Sequence, residues 1–125
     1  MFRYLCVNVL EVSTPLARAI VWSNSRGGNL NVADSYIAQN PGYMRLEMTP
    51  GGRYLESLNL FDGRFSYEQA RKPWEILSAR YATAAAGEVT AFTSGAAPTS
   101  IFRTVELGIL QNNPNVTRIR YMPTN

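Results

Sequence analysis

The sequence contains no histidine among its 125 residues, and it has a single cysteine, Cys6. The lack of histidine removes the usual general base of serine and cysteine hydrolases and the commonest metal ligand. With one thiol and no acidic cluster at ligand spacing, a zinc site is disfavoured as well. We therefore predict no metal and no cofactor, so any chemistry must depend on carboxylates, aromatic rings, hydroxyls, amides and arginines.

Long hydrophobic runs and export signals are absent too. No apolar run approaches the roughly 20 residues that a membrane span needs, so we predict no membrane-spanning segment. The stretch Met1–Cys6 lacks the apolar core and cleavage site of a signal peptide, and we expect no export address in it. A lone cysteine cannot form an internal disulfide, which suits a reducing compartment.

Positive charge exceeds negative charge only slightly. The formal net charge is +3, from 12 Lys and Arg residues against 9 Asp and Glu residues. The arginines are scattered, whereas a nucleic-acid-binding surface is typically marked by a cluster, so we predict no nucleic-acid partner. A hydrophobic fraction of 46% with 17% charged residues is typical of one compact domain, which we place over residues 1–125.

The first part of the chain, about residues 1–65, is predicted to be mainly helical. Thr14 and Pro15 favour a helix start, because a capping hydroxyl is followed by proline at the first helical position. Apolar residues then continue at helical intervals as far as Trp22. We therefore expect Trp22 near the C-terminal end of a first helix.

Further along this part, a second short helix is expected over residues 31–39, ended by Asn40-Pro41-Gly42. Residues 43–49 are predicted to be extended. Pro50-Gly51-Gly52 predicts a turn at which the backbone approaches another segment closely, and a loop is expected from there to about Ser66.

The second part, about residues 66–125, is predicted to be an α/β layer. Ser66-Tyr67-Glu68-Gln69 has the pattern of a capping box, and the helix that it begins is expected to stop by Gly87. A short β-branched and aromatic run over residues 89–92 predicts a buried strand, and residues 117–122 predict a second one after a loop. The expected fold class is α/β, with the helical N-terminal part packed against this compact α/β part.

Four short elements carry most of the chemistry-bearing side chains. In chain order they are Ile20-Val21-Trp22-Ser23; Arg45-Leu46-Glu47-Met48-Thr49; Trp74 with Ser78, Arg80, Tyr81 and Ala82; and Ser100 with Phe102, Val105 and Glu106. This order resembles the active-site half of the ADP-ribosyl cyclase family, enzymes that split NAD at the nicotinamide–ribose bond. The resemblance implies a short, largely parallel sheet.

The resemblance also implies a role for each element. Trp22 and Trp74 would form opposite walls of a nicotinamide pocket, and Glu106 would be the catalytic glutamate. Glu47 would be a second carboxylate, contacting the carboxamide and influencing whether the product cyclises or is hydrolysed. The remaining substrate-binding residues would be Ser23 at the diphosphate, Ser78 at the ribose or pocket, and Ser100 and Phe102.

Elementary chemistry agrees with these residue types. Nicotinamide leaves as a neutral molecule, so positive charge develops on the ribose and little acid catalysis is needed. A carboxylate in a dry pocket can stabilise or capture that cation, as in retaining glycosidases. Aromatic walls bind a flat pyridinium by stacking and cation–π attraction. We therefore predict an NAD glycohydrolase that yields nicotinamide and ADP-ribose, with cyclisation as a minor branch.

Each element also has a purely structural interpretation. A tryptophan on an apolar face is usually part of the core, Glu47 beside a turn is usually solvated, and Ser100 can simply shape a loop. Two other functions stay open. One is a metal-independent ribonuclease toxin that uses arginines and glutamates, and the other is a binding module in which Trp22 and Trp74 form a platform without turnover.

The chain departs from the family in three ways. It has no disulfides, it is about half as long, and Asn24 stands where a basic residue often follows the Trp-Ser pair, with Arg26 nearby as a substitute. The strings Leu46–Gly52 and Asn113–Thr117 look more like the short cyclase-like domains of bacterial polymorphic toxins. That likeness implies an effector secreted as part of a larger protein and acting on NAD or NADP in the target-cell cytoplasm. It also implies a monomer whose partner is a cognate immunity protein.

Overall fold

The computed structural model describes residues 10–123, so Cys6 and the rest of the Met1–Cys6 stretch lie outside the described residues. Its regular elements, in chain order, are β1 (Ala19–Trp22), α1 (Asn29–Gln39), β2 (Met44–Arg45), α2 (Pro50–Ser57), α3 (Tyr67–Ala84), β3 (Gly87–Phe92), α4 (Leu107–Asn112) and β4 (Val116–Tyr121). A short 3-10 turn, Leu46–Met48, links β2 to α2, and a π-helical turn, Phe102–Glu106, runs directly into α4.

The four strands form one sheet in the order β2-β1-β3-β4, and every neighbouring pair is parallel. Helix α1 packs against β1 and β3, where Ala33 joins a small cluster with Ile20 and Phe92. The larger core, which includes Leu55, Leu77 and Val89, involves α2, α3 and α4. The predicted α/β class and parallel sheet are confirmed, and the first part of the chain contributes two of the strands.

The predicted helix from Thr14 and Pro15 is wrong, because its second half forms β1. Ala17 has a positive φ of 59°, which ends any helical course before the strand. Strand β1 lies between two other strands and is buried along its first three residues. A central strand of a parallel sheet is covered on both faces, so its sequence reads as a continuous apolar run without alternation.

The predicted turn after Thr49 is also wrong, and the predicted loop begins only after Ser57, because Pro50–Ser57 forms α2. The Thr49 hydroxyl accepts a hydrogen bond from the N–H of Gly52 at 3.0 Å, and Pro50 occupies the first helical position. The expected close approach does occur. A Cβ on Gly52 would overlap the carbonyl oxygen of Leu46, so glycine lets α2 pack directly on the preceding 3-10 turn.

Of the extended stretch predicted over residues 43–49, only Met44–Arg45 is a strand, because Leu46–Met48 forms a 3-10 turn. Other local signals were more reliable. The helix expected over residues 31–39 is α1, and the strands expected near residues 89–92 and 117–122 are β3 and β4. Both hydrogen bonds of the capping box are present: the Ser66 N–H donates to the Gln69 side chain at 2.9 Å, and the Gln69 N–H donates to the Ser66 hydroxyl at 3.1 Å. The connection between β3 and β4, expected to be a loop, contains the π-helical turn and α4.

Candidate active site

One cavity of about 640 Å³ opens beside the carboxyl ends of β1 and β2. Parallel α/β sheets commonly bind ligands at this edge. The cavity lining includes every residue that the sequence analysis selected: Trp22, Ser23, Glu47, Trp74, Ser78, Ser100, Phe102 and Glu106. The fold therefore brings together residues that lie far apart in the chain, while their roles in catalysis and binding stay predictions.

The two tryptophans line this cavity and also contact the core. Trp22 packs against the Ile20 cluster, and Trp74 packs against the larger core. Neither is fully buried, so part of each indole is available to the cavity. The Trp22 indole N–H donates to Glu47 Oε1 at 3.2 Å, which fixes the ring relative to that carboxylate.

Glu106 is the most perturbed carboxyl of the site. It ends the π-helical turn and is only 7% exposed. Burial and, to a smaller extent, the negative charge of Glu47 raise the pKa of Glu106 to about 8, although a hydrogen bond from the buried Ser78 hydroxyl partly opposes the rise. A buried carboxyl with a shifted pKa in a cavity has the character of a catalytic group. Single π-helical turns inside helices also occur frequently at functional sites.

Glu47 is held by an ion pair that the sequence analysis missed. Arg45 Nη1 lies 3.0 Å from Glu47 Oε1, and Arg45 Nε lies 2.7 Å from Asp34 Oδ1. Asp34 belongs to α1, a separate element of the chain, so no local sequence pattern predicts its pairing with Arg45. The pairing positions the Glu47 carboxylate and offsets part of its charge, whereas no salt bridge holds Glu106 among the described residues.

Ser100 and Phe102 have structural contacts besides lining the cavity. The Ser100 hydroxyl accepts a hydrogen bond from the Arg103 N–H at 3.2 Å, so it caps the turn that carries Glu106. The Phe102 ring is buried and belongs to the larger core. Their structural interpretation is therefore supported, and any contact with substrate would be an additional role.

Two asparagines hold together the segments that follow β1 and β3, next to the cavity. The buried amide of Asn29 donates to the carbonyl oxygens of Ser23 at 2.8 Å and Ser94 at 2.9 Å, and Asn24 donates to Ser94 at 3.0 Å. These bonds hold the segment after β1 against the segment after β3. Arg26 lines the cavity on this side and is exposed, with no ion pair to any residue in the range 10–123.

Tyr81 belongs to the third of the four elements, but the sequence analysis gave it no role of its own. Its hydroxyl accepts from the Ile20 N–H at 3.1 Å and lies 2.8 Å from the carbonyl oxygens of both Ile20 and Met44. The single hydroxyl proton can be donated to one of these oxygens at a time. Tyr81 thereby ties β1 to β2 directly behind the segments that carry Trp22 and Glu47.

Tyr81→Phe is expected to lower the free energy of unfolding by about 1–3 kcal/mol, because buried backbone groups lose their partner. Urea unfolding followed by tryptophan fluorescence measures the change. Tyr67→Phe on the same helix is the matched control, since Tyr67 is 62% exposed. Equal stability of the two variants would contradict the bridging role of Tyr81.

The described residues 10–123 contain no group of three or more Cys, Asp or Glu side chains arranged to hold a metal ion. In that same part of the chain, no helix has the length and hydropathy needed to cross a membrane.

No family model matches the sequence, and no curated protein matches it significantly. Solved structures do match. One is an ADP ribosyl cyclase complexed with N1-cIDPR, at 25% identity and a TM-score of 0.69, over 92% of this chain and 52% of that one. Another is Aplysia cyclase complexed with the substrate NGD and the product cGDPR, at 29% identity and a TM-score of 0.64, over 86% of this chain and 49% of that one.

Porcine CD38 complexed with a covalent intermediate, ribo-F-ribose-5'-phosphate, matches at 18% identity and a TM-score of 0.68, over 94% of this chain and 58% of that one. At that identity the likeness concerns the fold alone. The chain spans about half the length of the solved structures that it matches. Together the sheet, the helices and these likenesses define an α/β protein with the fold of the ADP-ribosyl cyclases and CD38. The neighbours support the family-level resemblance drawn from the sequence.

Proposed function

We propose that the chain is an NAD glycohydrolase that cleaves the nicotinamide–ribose bond of NAD. The observation that carries the proposal is a single cavity whose lining includes the buried Glu106 together with Glu47, Trp22 and Trp74. The Aplysia cyclase neighbour has the dinucleotide NGD as its substrate, and the CD38 neighbour holds a covalent intermediate. These neighbours support a dinucleotide substrate and glycosidic chemistry.

Binding begins with the nicotinamide ring between the two indoles. The pyridinium is flat and positively charged, and stacking with cation–π attraction contributes about 0.5–2 kcal/mol per aromatic wall. The Trp22 indole is already oriented by its hydrogen bond to Glu47. Because the ring is already oriented, it loses less conformational entropy when the substrate binds.

Bond cleavage then needs no external acid. The bond between the ribose C1′ and the pyridinium nitrogen breaks, its electron pair goes to that nitrogen, and neutral nicotinamide leaves. The Glu106 carboxylate stabilises the cationic ribose or bonds to C1′, and water then attacks C1′ to give ADP-ribose and one proton. NAD and water are thereby converted to nicotinamide, ADP-ribose and a proton.

Hydrolysis is proposed as the main outcome because the cavity is open to solvent and water can reach C1′. Glu47 is proposed to contact the carboxamide and to influence the minor cyclisation branch. Its charge is partly offset by Arg45, so Glu106 alone faces the ribose as a free carboxylate once it is deprotonated.

The test is incubation of the purified chain with NAD, with nicotinamide, ADP-ribose and cyclic ADP-ribose separated chromatographically. We expect nicotinamide to equal the sum of ADP-ribose and cyclic ADP-ribose, with the cyclic compound as the minor product. NAD left intact by folded chain would overturn the proposal. Degradation of RNA in a parallel tube would then favour the ribonuclease alternative, and saturable NAD binding without turnover would favour a binding module.

We further propose that this activity serves a toxin that depletes NAD in a target-cell cytoplasm and is neutralised by an immunity protein. The proposal rests on the strings Leu46–Gly52 and Asn113–Thr117. Expression of the chain in a bacterial cytoplasm should arrest growth and lower cellular NAD, whereas the Glu106→Gln variant should be tolerated. Normal growth with normal NAD, at equal protein level, would contradict the toxin role.

A further inference from the structure

Two exposed aromatic rings stand together at the mouth of the cavity. Phe61 is 55% exposed and Tyr67 is 62% exposed, although both line the same cavity as Glu106. Their ring centroids are 5.7 Å apart with an angle of 48° between the planes. A single exposed aromatic needs no explanation, but a contacting pair on the rim of a cavity is a surface suited to a flat ligand.

Both rings are held on ordered backbone. Phe61 follows the buried Leu60, and the next residues are fixed by Arg64, whose side chain pairs with Asp62 at 2.9 Å and donates to the Leu58 carbonyl oxygen at 2.7 Å. Tyr67 is the first residue of α3, directly after the Ser66 capping box. Because these segments are already ordered, a ligand that stacks on the rings loses less conformational entropy on binding.

Helix α3 runs along the cavity from this aromatic pair to the residues beside Glu106. Tyr67, Arg71, Trp74 and Ser78 all line the cavity, at spacings of four, three and four residues that place them on one face of the helix. Ser78 hydrogen-bonds to Glu106, and Trp74 is the proposed nicotinamide wall. At 1.5 Å per residue, Tyr67 lies about 10 Å along the helix axis from Trp74.

We propose that Phe61 and Tyr67 form a second base-binding subsite, which stacks the adenine of the dinucleotide substrate. The proposal rests on the proposed function, because it places nicotinamide at Trp74. Two riboses and a diphosphate separate the two bases of NAD. The adenine must therefore lie well away from the cleaved bond, farther along the cavity-lining face of α3. Aromatic stacking accepts any flat base, since every base has a π face.

The test compares NAD with nicotinamide mononucleotide, which has the same scissile bond and no adenine. For the double variant Phe61→Ala/Tyr67→Ala, we expect KM for NAD to rise about tenfold, as stacking on one base is lost. The kcat for NAD and both constants for the mononucleotide should stay near the wild-type values. Both positions are exposed, so the variant should fold normally.

Tyr54→Ala is the matched control, because Tyr54 is an exposed aromatic on α2 with 47% exposure and is not part of the cavity lining. This variant should leave KM for NAD unchanged. An unchanged KM for NAD in the double variant would overturn the subsite. An equal rise for NAD and the mononucleotide would also overturn it, because the rings would then act on the cavity as a whole.

If wild-type chain cleaves neither compound, the proposed function fails and the subsite is decided by binding alone. Quenching of tryptophan fluorescence by AMP, which carries only the adenine half, measures it directly. The subsite predicts saturable quenching by AMP in the wild type and at least about a tenfold weaker Kd in the double variant. Equal AMP affinity in both proteins, or no AMP binding, would overturn it.

Discussion

Replacing Glu106 by glutamine is expected to lower NAD turnover by about a thousandfold or more while the fold is retained. Glutamine has the shape of the protonated side chain but cannot provide negative charge to the ribose cation. Losses of about this size follow the removal of a group that acts mainly in the transition state. Turnover is measured by the loss of NAD, and folding by urea unfolding of the same preparations.

The matched control for this substitution is Glu56→Gln. Glu56 also lines the cavity, but it is exposed on α2. Above about pH 8, where Glu106 is largely ionised, replacement of Glu56 removes the same charge as Glu106→Gln, so a general electrostatic effect on NAD would appear in both variants. We expect Glu56→Gln to keep turnover within about threefold of wild type, since exposed charges are well screened. Near wild-type turnover by Glu106→Gln would remove Glu106 from the mechanism.

The second large effect is a steep pH dependence of kcat/KM for NAD. With its pKa raised to about 8, Glu106 is mostly protonated at neutral pH in the free protein, and the proposed chemistry needs the carboxylate. We therefore expect kcat/KM to rise about tenfold per pH unit below about pH 8 and to level off above it. The midpoint for kcat should lie lower, because bound cationic substrate favours the carboxylate.

Glu47 provides an internal check on this titration. Its negative charge raises the pKa of Glu106, so Glu47→Gln should move the kcat/KM midpoint to lower pH. A profile that is flat between about pH 6 and pH 9 would contradict the assignment. So would a midpoint that stays in place in the Glu47→Gln variant.

Ionisation of Glu106, which should raise kcat/KM, should lower the free energy of unfolding. Unfolded Glu106 releases its proton near its ordinary value of 4.5, whereas the folded chain keeps it to about 8. Between these pH values the folded state binds more protons, so the contribution of Glu106 to the free energy of unfolding falls as pH rises. Glu106→Gln lacks this loss and should gain stability relative to wild type above about pH 8. Burial of an ionised carboxylate lowers the stability of the fold. Such a cost is typical of active sites, where function and stability often oppose each other.

Local signals in the sequence explain what could be predicted of the fold. The capping box at Ser66 depends only on residues within one turn, so the start of α3 was predictable. Strand β1 was not, because a central parallel strand has no alternation, and its apolar run after Thr14-Pro15 fits a helical period equally well. Gly51 and Gly52 suggested a turn, yet their small size serves the packing of α2 on Leu46.

The candidate site divides in a similar way. Residue types and their order in the chain were enough to select eight of the side chains that line the cavity. Several contacts that hold the site together could not be predicted, because they join separate segments of the chain. The Tyr81 hydroxyl reaches a backbone 61 residues away, and the Arg45 guanidinium is shared between Asp34 and Glu47. Such contacts are set by tertiary packing, which no spacing in one sequence reveals.

The most direct measurement is the time course of nicotinamide release from NAD at about pH 8.5, where Glu106 is largely deprotonated. Wild-type chain, Glu106→Gln and Glu56→Gln are compared at equal concentrations, each shown to be folded. We expect nicotinamide release by wild type and Glu56→Gln, equal to the NAD consumed, and none above background by Glu106→Gln. Release at the same rate by Glu106→Gln, or intact NAD with all three proteins, would contradict it.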